Sequence, residues 1–224
     1  MKRSTINAAI RSAKALFARH QFHLPPWAEW PLDQWKWNPE VARWCRDRQM
    51  GWDVTDFQKD RYDELGLVLF CLRNGRQDDP NSMPYAEKLL VIGEGQLTPF
   101  HSHKVKMEDI IVRGGGNLVI EMYNLDDQGN RQDTDVDAMT DGTARRVNAG
   151  APLVLYPGES ITIHRRLEHC FYGEAGSGTV LAGEVSQVND DHADNYFHEP
   201  LPRFTEIIED EPVLHPLWNE LPVD

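Results

Sequence analysis

Two histidines and a glutamate lie within eight consecutive positions, at His101, His103 and Glu108. Residues two apart on a β-strand share a face of the sheet, so both imidazoles can approach one ion. Glu108 has the wrong parity for the same continuous strand. A turn through Lys104–Lys106 would let its carboxylate project inward from the next strand. Imidazole and carboxylate ligands together suit manganese, iron, nickel or zinc, so the spacing predicts a metal site.

Two later histidines compete for a fourth coordination position. Ser160–His164 alternates polar and apolar residues like a half-buried strand, and His164 would end that strand. His169 follows a turn and opens the apolar run His-Cys-Phe-Tyr. A ligand at that strand start would face the first histidine strand across a barrel. The residues by themselves leave both histidines as candidates.

The spacing around these residues resembles the cupin superfamily. Gly-x5-His-x-His-x4-Glu-x5-Gly, beginning at Gly95, is similar to the first cupin motif. Pro157-Gly158, placed before the later histidines, is similar to the second. The interval from Pro157-Gly158 to His169 is longer than is usual in that motif. The resemblance implies a double-sheet jelly-roll barrel with a metal in its mouth.

The composition excludes several classes of protein. The chain has 224 residues, of which 40% are hydrophobic and 26% charged, as expected for one globular core. A formal net charge of −13 disfavours nucleic-acid and anionic-membrane partners, and no apolar run is long enough to span a bilayer. Cys45, Cys71 and Cys170 lack CxxC spacing and fit a reducing compartment. We therefore expect a cytoplasmic protein.

The first 28 residues hold five basic side chains and no acid, which resembles an organellar targeting peptide. Pro25-Pro26 would end a helix here, and Asn38-Pro39 would begin a second one. Six apolar residues recur at helical spacing and would share one face: Ile6, Ala9, Ile10, Ala13, Leu16 and Phe17. This face favours a structural N-terminal helix over a targeting peptide.

Five of the seven tryptophans lie between residues 27 and 44. They could form a platform for a sugar, pack a helical layer against the outside of a sheet, or form a dimer interface. Packing is the interpretation that we favour, and the same residues suggest a homodimer. Residues 1–60 are thus predicted to form a Trp-rich helical layer on a barrel.

From Gly66 the chain changes to short apolar runs divided by turns. Many short strands without long helices between them indicate a sandwich or barrel. Leu125–Thr143 is acidic and polar and is predicted to be a turn region. The tail from Asn189 is expected to wrap the barrel. With the cupin resemblance, we predict a mainly β double-stranded β-helix (jelly-roll barrel) over residues 61–224, in one structural domain with the N-terminal helical layer.

Segments that resemble the cupin D-lyxose isomerases extend over nearly the whole chain. They include Gly51-Trp-Asp-Val-Thr-Asp-Phe, Gly183-Glu-Val-Ser-Gln-Val-Asn-Asp-Asp and Arg203-Phe-Thr-Glu. In that family the ligands would be His101, His103, Glu108 and His169, commonly holding Mn²⁺. Co²⁺, Fe²⁺, Ni²⁺ and Zn²⁺ also suit this ligand set. The resemblance therefore favours His169 over His164.

The reaction that this resemblance implies is the isomerisation of an aldose to a ketose. D-lyxose would give D-xylulose, and D-mannose would give D-fructose, by proton transfer between C1 and C2 through a cis-enediolate that a divalent ion stabilises. Glu206 is predicted to be the base, with Glu184 and Asp194 as alternatives. Lys106, which shares parity with Glu108, is predicted to stabilise charge on the substrate oxygens.

Further residues are predicted to bind the sugar, and two other functions stay open. The predicted substrate-binding residues are Lys88, Glu184, Asp194 and Arg203. The metal motif would also suit an oxygen-dependent cupin oxidoreductase, or a sugar-binding module whose metal is structural. An isomerase would turn over its substrate without oxygen, an oxidoreductase would require oxygen, and a binding module would show no turnover.

Overall fold

Strands dominate the fold, as the short apolar runs predict. In the computed structural model, which describes residues 1–223, the helices are α1 (Arg3–Arg19), α2 (Leu32–Lys36) and α3 (Pro39–Asp47), with 3-10 turns at Pro26–Glu29 and Trp218–Glu220. The first seven strands are β1 (Gly51–Thr55), β2 (Leu67–Asn74), β3 (Tyr85–Ile92), β4 (Thr98–Ser102), β5 (Glu108–Gly115), β6 (Leu118–Leu125) and β7 (Arg131–Gln132). The next seven are β8 (Val136–Thr140), β9 (Thr143–Val147), β10 (Leu153–Leu155), β11 (Ser160–Ile163), β12 (Glu168–Gly173), β13 (Val180–Gln187) and β14 (Tyr196–Phe197).

Two antiparallel sheets face each other across the core. Within residues 1–223, eight strands form one sheet in the order β1-β2-β3-β13-β5-β11-β8-β9. The second sheet has the order β10-β6-β12-β4-β14, with β7 paired to β6. From β3 to β6 and from β9 to β14, consecutive strands of the chain alternate between the two sheets, which is the connectivity of a cupin jelly-roll. The mainly β fold predicted from the sequence is confirmed.

Helix α1 packs on the outer face of the eight-stranded sheet. The six apolar residues predicted for one face of α1 are all buried. They contact Trp52 and Val54 of β1 and Val68 and Phe70 of β2. Each large apolar side chain removed from water here contributes about 1.5–3 kcal/mol. The 3.6-residue periodicity of the N-terminal segment therefore reflects a helix that packs against the sheet.

The tryptophan-rich segment divides into a packed part and an exposed part. Trp27 lies with its ring centroid 5.9 Å from that of Trp35 and 5.1 Å from that of Phe70 on β2. Trp37 and Trp44, in contrast, are 79% and 50% exposed. Packing against a sheet therefore accounts for the buried tryptophans and not for the two exposed ones.

Four strands lie where the sequence patterns did not predict them, namely β1, β7, β8 and β14. β7 shares the predicted turn region with β8, and β14 lies in the tail. β1 falls inside the range predicted to be helical layer, and all five of its residues are buried, so it shows no polar–apolar alternation. β8 falls inside Leu125–Thr143, which was predicted to be turns. Its inward residues Val136, Ala138 and Thr140 do alternate with outward ones, but acidic neighbours mask the pattern. Over the described residues, no helix has the length and apolar character needed to cross a membrane.

Candidate metal centre

Three strands bring the four residues of the predicted ligand set together. β4 and β12 are antiparallel neighbours, and His101 lies opposite His169 in their register. His103 follows the end of β4, and Glu108 opens β5. The turn between those two strands corrects the parity of Glu108, as the spacing required. One ligand atom from each of the four residues can be chosen so that all lie within 4.8 Å of one another.

The cluster formed by His101, His103, Glu108 and His169 has the chemistry of a metal site. All four residues are buried. Each histidine has its Nδ1 on a backbone carbonyl: His101 on Pro99 at 2.8 Å, His103 on Asp194 at 2.5 Å and His169 on Leu167 at 3.2 Å. Such bonds fix the tautomer and direct Nε2 toward the ion.

Two observations show that an ion fits this cluster. The Nε2 atoms of His103 and His169 are buried without a hydrogen-bond partner, which is costly unless another group binds them. His169 Nε2 lies 3.1 Å from Glu108 Oε1, and His103 Nε2 lies 3.5 Å from Glu108 Oε2. A buried set of three nitrogens and one carboxylate can therefore bind a divalent metal ion.

The electrostatics keep His101, His103 and Glu108 in their metal-binding protonation states. Burial lowers the pKa of His101 well below its ordinary value, and burial likewise lowers the pKa of His103. Burial alone would raise the pKa of Glu108, but the nearby Lys106 ammonium and His103 hold that pKa well below its usual range. Neutral imidazoles on His101 and His103 and an ionised Glu108 carboxylate follow at neutral pH.

Asp194 holds the turn between the ligand strands. Its carboxylate accepts backbone N–H bonds from Lys104 at 2.8 Å, Val105 at 3.0 Å and Lys106 at 2.9 Å. Its backbone carbonyl receives His103 Nδ1. Both ends of Asp194 are therefore occupied by the 103–106 turn. These contacts give Asp194 a positioning role in the turn, and its roles as a substrate ligand or a base stay predictions.

A second polar group adjoins the cluster and shares its lysine. Lys106 Nζ lies 2.8 Å from Glu108 Oε2, 3.0 Å from Glu184 Oε1 and 3.1 Å from Asn189 Oδ1. Lys88 Nζ donates to both oxygens of Glu184, at 3.0 and 3.3 Å, and to Asn189 Oδ1 at 2.8 Å. Burial opposes ionisation of Glu184, but Lys106 and Lys88 outweigh it and lower its pKa. Glu184 is thus an ionised buried carboxylate beside the metal cluster.

Arg203 closes the same cavity from the C-terminal tail. Its Nη2 donates to Asp53 Oδ2 at 2.5 Å and to Asp191 Oδ2 at 3.2 Å. Its Nη1 is buried without a partner. One cavity is lined by Arg203, Lys88, Glu184 and Lys106 together with His101, His103 and Glu108.

Two of the predicted candidates lie away from this cavity. Glu206 is exposed, and its backbone carbonyl accepts the Met1 ammonium at 2.9 Å. The described residues that line the cavity do not include Glu206, so the structure does not bring the predicted base to the cluster. His164 is also exposed, so of the two competing histidines the structure brings His169 to the cluster.

The sequence patterns missed three polar residues of the site: Asp53, Asn189 and Asp191. Asp53 lies on the fully buried strand β1, where a carboxylate needs a partner, and it receives Arg203. Asn189 and Asp191 follow the end of β13 and lie within the polar run Asn-Asp-Asp. A polar run directly after an apolar strand is the sequence feature that could have predicted these two site residues.

Comparisons with known proteins assign the family. A model of the D-lyxose isomerase family matches residues 1–221. A D-lyxose/D-mannose isomerase of Escherichia coli O157:H7 is 45% identical over 223 residues, covering 98% of both chains. A protein of the same name from Serratia proteamaculans is 44% identical over 225 residues, covering 97% of this chain and 95% of that one.

The chain belongs to the D-lyxose isomerase family. It is therefore an aldose–ketose isomerase, an intramolecular oxidoreductase. The resemblance stated from the sequence motifs is confirmed over nearly the whole chain.

The fold of this D-lyxose isomerase family member extends to more distant enzymes. A structure of Cellulomonas parahominis L-ribose isomerase with L-psicose superposes with a TM-score of 0.63 at 17% identity, covering 93% of this chain and 98% of that one. An Acinetobacter sp. DL28 L-ribose isomerase with L-ribose gives 0.58 at 14% identity, covering 88% and 92%. At these identities the likeness shows a shared fold.

Proposed function

We propose that this protein is a metal-dependent isomerase that converts D-lyxose to D-xylulose and D-mannose to D-fructose. The observation that most directly supports this proposal is an ionised Glu184 carboxylate in the same cavity as a buried cluster of three histidines and one glutamate. Relatives named D-lyxose/D-mannose isomerase support the choice of sugars. A carboxylate next to a Lewis acid is the arrangement that proton transfer between C1 and C2 requires.

Mn²⁺ is the ion that we propose for the cluster, held by His101, His103, Glu108 and His169. When bound, a divalent ion would polarise the substrate carbonyl and stabilise the negative charge that develops on the C1 and C2 oxygens. A mixed nitrogen and oxygen set accommodates Mn²⁺, and Co²⁺, Fe²⁺, Ni²⁺ or Zn²⁺ can occupy the same ligands.

Glu184 is proposed as the base that removes the C2 proton of the aldose and returns it to C1. Its carboxylate is buried in the cavity and ionised, so it can accept a proton. Lys88 and Lys106 hold it from two sides, which fixes its orientation. Burial disfavours the charged form of Lys106, but Glu108 and Glu184 outweigh burial and raise its pKa, so it remains a cation. Lys106 would stabilise charge on a substrate oxygen.

Arg203 is proposed to bind a substrate hydroxyl through Nη1. Its other terminal nitrogen is held by Asp53 and Asp191, and this leaves Nη1 as a buried donor without a protein partner. Lys88 has all three ammonium protons matched by Glu184 and Asn189 oxygens. Lys88 would thus act on the substrate through Glu184.

Anaerobic incubation with D-lyxose and Mn²⁺ tests this function. We expect D-xylulose to form without oxygen and C2 tritium to be released to water. Exhaustive chelation should abolish turnover, and added Mn²⁺ should restore it. The matched pair His169→Asn and His164→Asn separates the buried ligand from the exposed histidine: the first should lose metal binding and turnover, and the second should keep both. Strict oxygen dependence, or full activity after chelation, would refute the proposal.

We also propose a cytoplasmic homodimer. The three cysteines are buried and free, which fits a reducing compartment. Trp37 and Trp44 expose large aromatic surface near one another in sequence, as residues of a protein interface do. Light scattering would give twice the 25.7 kDa chain mass, and Trp37→Ser with Trp44→Ser should shift the population toward monomer.

A further inference from the structure

Four buried polar atoms without a protein partner belong to the catalytic cavity or its metal cluster. Among the described residues, His103 Nε2 and His169 Nε2 belong to the cluster, while Arg203 Nη1 and Thr98 Oγ1 lie on the cavity wall. Buried polar groups are nearly always hydrogen-bonded, so each exception needs an explanation. A bound metal ion would coordinate the two imidazole nitrogens, and a sugar hydroxyl would accept a hydrogen bond from Arg203 Nη1. Thr98 has no role in any of these contacts.

Thr98 is a buried residue of the cavity wall. It is the first residue of β4, three positions before His101, and it pairs with Phe171 of β12, with a β-bulge between this pair and the His101–His169 pair. Its residue exposure is only 4%. Leu69, Leu90 and Phe171, whose side chains offer no hydrogen bond, also line the cavity. The Thr98 hydroxyl is therefore a buried polar group without a protein partner on the wall of a partly apolar cavity.

We propose that Thr98 Oγ1 binds a hydroxyl of the sugar at C4 or C5, away from the reacting carbons. This inference rests on the proposed function, which directs the C1 and C2 oxygens to the metal cluster. The rest of an open-chain sugar must then extend along the cavity, and its hydroxyls need partners inside the protein. Their partners on β12, His169 and Phe171, are two residues apart, so Thr98 is displaced from His101 by roughly 7 Å along the barrel.

A threonine hydroxyl is suited to this role because it can donate and accept at once. It can therefore pair with a sugar hydroxyl in either orientation. A cavity that hydrogen-bonds a substrate hydroxyl rejects an analogue without that hydroxyl, since the protein group is then left unpaired. Thr98 is on these grounds a specificity-determining residue for the distal part of the sugar.

The test compares Thr98→Val with the wild type on D-lyxose, 4-deoxy-D-lyxose and 5-deoxy-D-lyxose at saturating Mn²⁺. Valine keeps the shape and removes the hydroxyl. We expect kcat/KM for D-lyxose to fall about tenfold, which corresponds to about 1.4 kcal/mol. The wild type should discriminate against one deoxy analogue, and Thr98→Val should lose that discrimination. Thr98→Ser, which keeps the hydroxyl, should restore it.

Thermal stability separates a binding role from a structural one. Because the Thr98 hydroxyl has no protein partner, Thr98→Val should leave the melting temperature of the metal-free protein unchanged or raised. Thr140 is the matched control: it is 1% exposed, lies on β8, and donates to Thr143 O at 3.3 Å. Thr140→Val should lower the melting temperature and leave the deoxy-sugar discrimination as in the wild type.

Three outcomes would overturn the inference. Unchanged kinetics of Thr98→Val would do so, and so would an equal fall in kcat/KM on D-lyxose and both deoxy analogues. A lowered melting temperature together with that equal fall would assign Thr98 to the structure. Absence of D-lyxose turnover by the wild type would instead refute the proposed function and this inference with it, so the two failures are distinguishable.

Discussion

Glu184 keeps its charge in a place where burial alone would remove it. A carboxylate this deeply buried is ordinarily protonated near neutral pH, because desolvation disfavours the anion. Lys106 and Lys88, each 3.0 Å from Oε1, reverse that preference and lower the pKa of Glu184. The same contacts orient the carboxylate. Residues that buried cations hold in a charged state are candidates for proton transfer.

Glu184→Gln should lower kcat by at least about a hundredfold, since the amide cannot accept a proton. Metal binding should persist, because the four cluster residues are unaltered. Glu206→Gln is the control, and it should leave kcat within about twofold because Glu206 is exposed outside the cavity. Steady-state kinetics and metal titration of both variants check this. Equal losses of kcat in the two variants would leave Glu206 as a candidate for the base.

Asp194 should influence metal binding through the backbone of the turn between β4 and β5. Asp194→Ala removes the acceptor for the N–H groups of Lys104, Val105 and Lys106 and should weaken Mn²⁺ binding about 10- to 100-fold. Asp194→Asn keeps one carbonyl oxygen and should lose less. Calorimetric titration of the metal-free variants measures the effect. Wild-type affinity in Asp194→Ala would contradict the bracing role.

At the scale of elements, α1 is fastened to the C-terminal tail by Arg3. This guanidinium is fully buried and donates to Glu209 at 2.7 and 2.9 Å and to Glu220. Asn7, one turn later, donates to Glu211 and to the Pro212 carbonyl, both at 2.9 Å. The two ends of the chain therefore stabilise each other on one face of the molecule.

Arg3→Ala should lower the free energy of unfolding by about 2 kcal/mol, from lost charged hydrogen bonds and lost packing. Arg11 lies on the same helix, but its side chain is 56% exposed. Its Nη2 lies 3.7 Å from Glu211 Oε2, which is farther than the Arg3 contacts. Arg11→Ala should cost less than about 1 kcal/mol, because exposed ion pairs contribute little. Urea unfolding of both variants gives the comparison. Similar losses of unfolding free energy in the two variants would show that Arg3 stabilises the protein no more than an exposed ion pair does.

Elements marked by a clear periodicity or an apolar run were predictable, and β1 and β8, which polar residues interrupt, were not. The face of α1 repeats every 3.6 residues, and β11 alternates every two, so both follow from the sequence. β1 is buried on both faces because α1 covers one side and the barrel core the other, so no alternation marks it. From the sequence alone, Asp53 within this run suggests a loop, because its ion-pair partner Arg203 is distant in the chain.

At the scale of the whole molecule, the interior controls the chemistry of the thiols. Burial raises the pKa of Cys45, Cys71 and Cys170 to about 12 each, from an ordinary value of 9.0. The folded protein therefore holds its thiols protonated at pH values where the unfolded chain ionises them. Stability from this source is complete below pH 9 and is lost as the pH rises from about 9 toward 12.

The free energy of unfolding should accordingly fall between pH 9 and 11, and Cys71→Ala should reduce the slope. At pH 8, a thiol reagent should modify none of the three cysteines in the native protein and all three in urea. Denaturant titrations at each pH and thiol counting measure these effects. Rapid labelling of Cys170 in the native state would mean that this thiol is accessible and reactive.

The sequence by itself predicted the candidate metal ligands and determined the class of fold. His101, His103 and Glu108 are close in the chain, so strand parity and one turn relate them, and local periodicity predicts the strands. The family resemblance added His169 and the reaction. All of this information is local in the chain or lies in motif spacing.

Only the tertiary structure distinguished Glu184 from Glu206 and assigned Asp194 to the turn. Lys88 and Glu184 are 96 residues apart, and Arg203 and Asp53 are 150 apart. A carboxylate's charge and direction depend on which cations and backbone groups surround it, and those neighbours come from distant strands. No spacing along the chain encodes such contacts, because they arise when the two sheets and the tail close around one cavity.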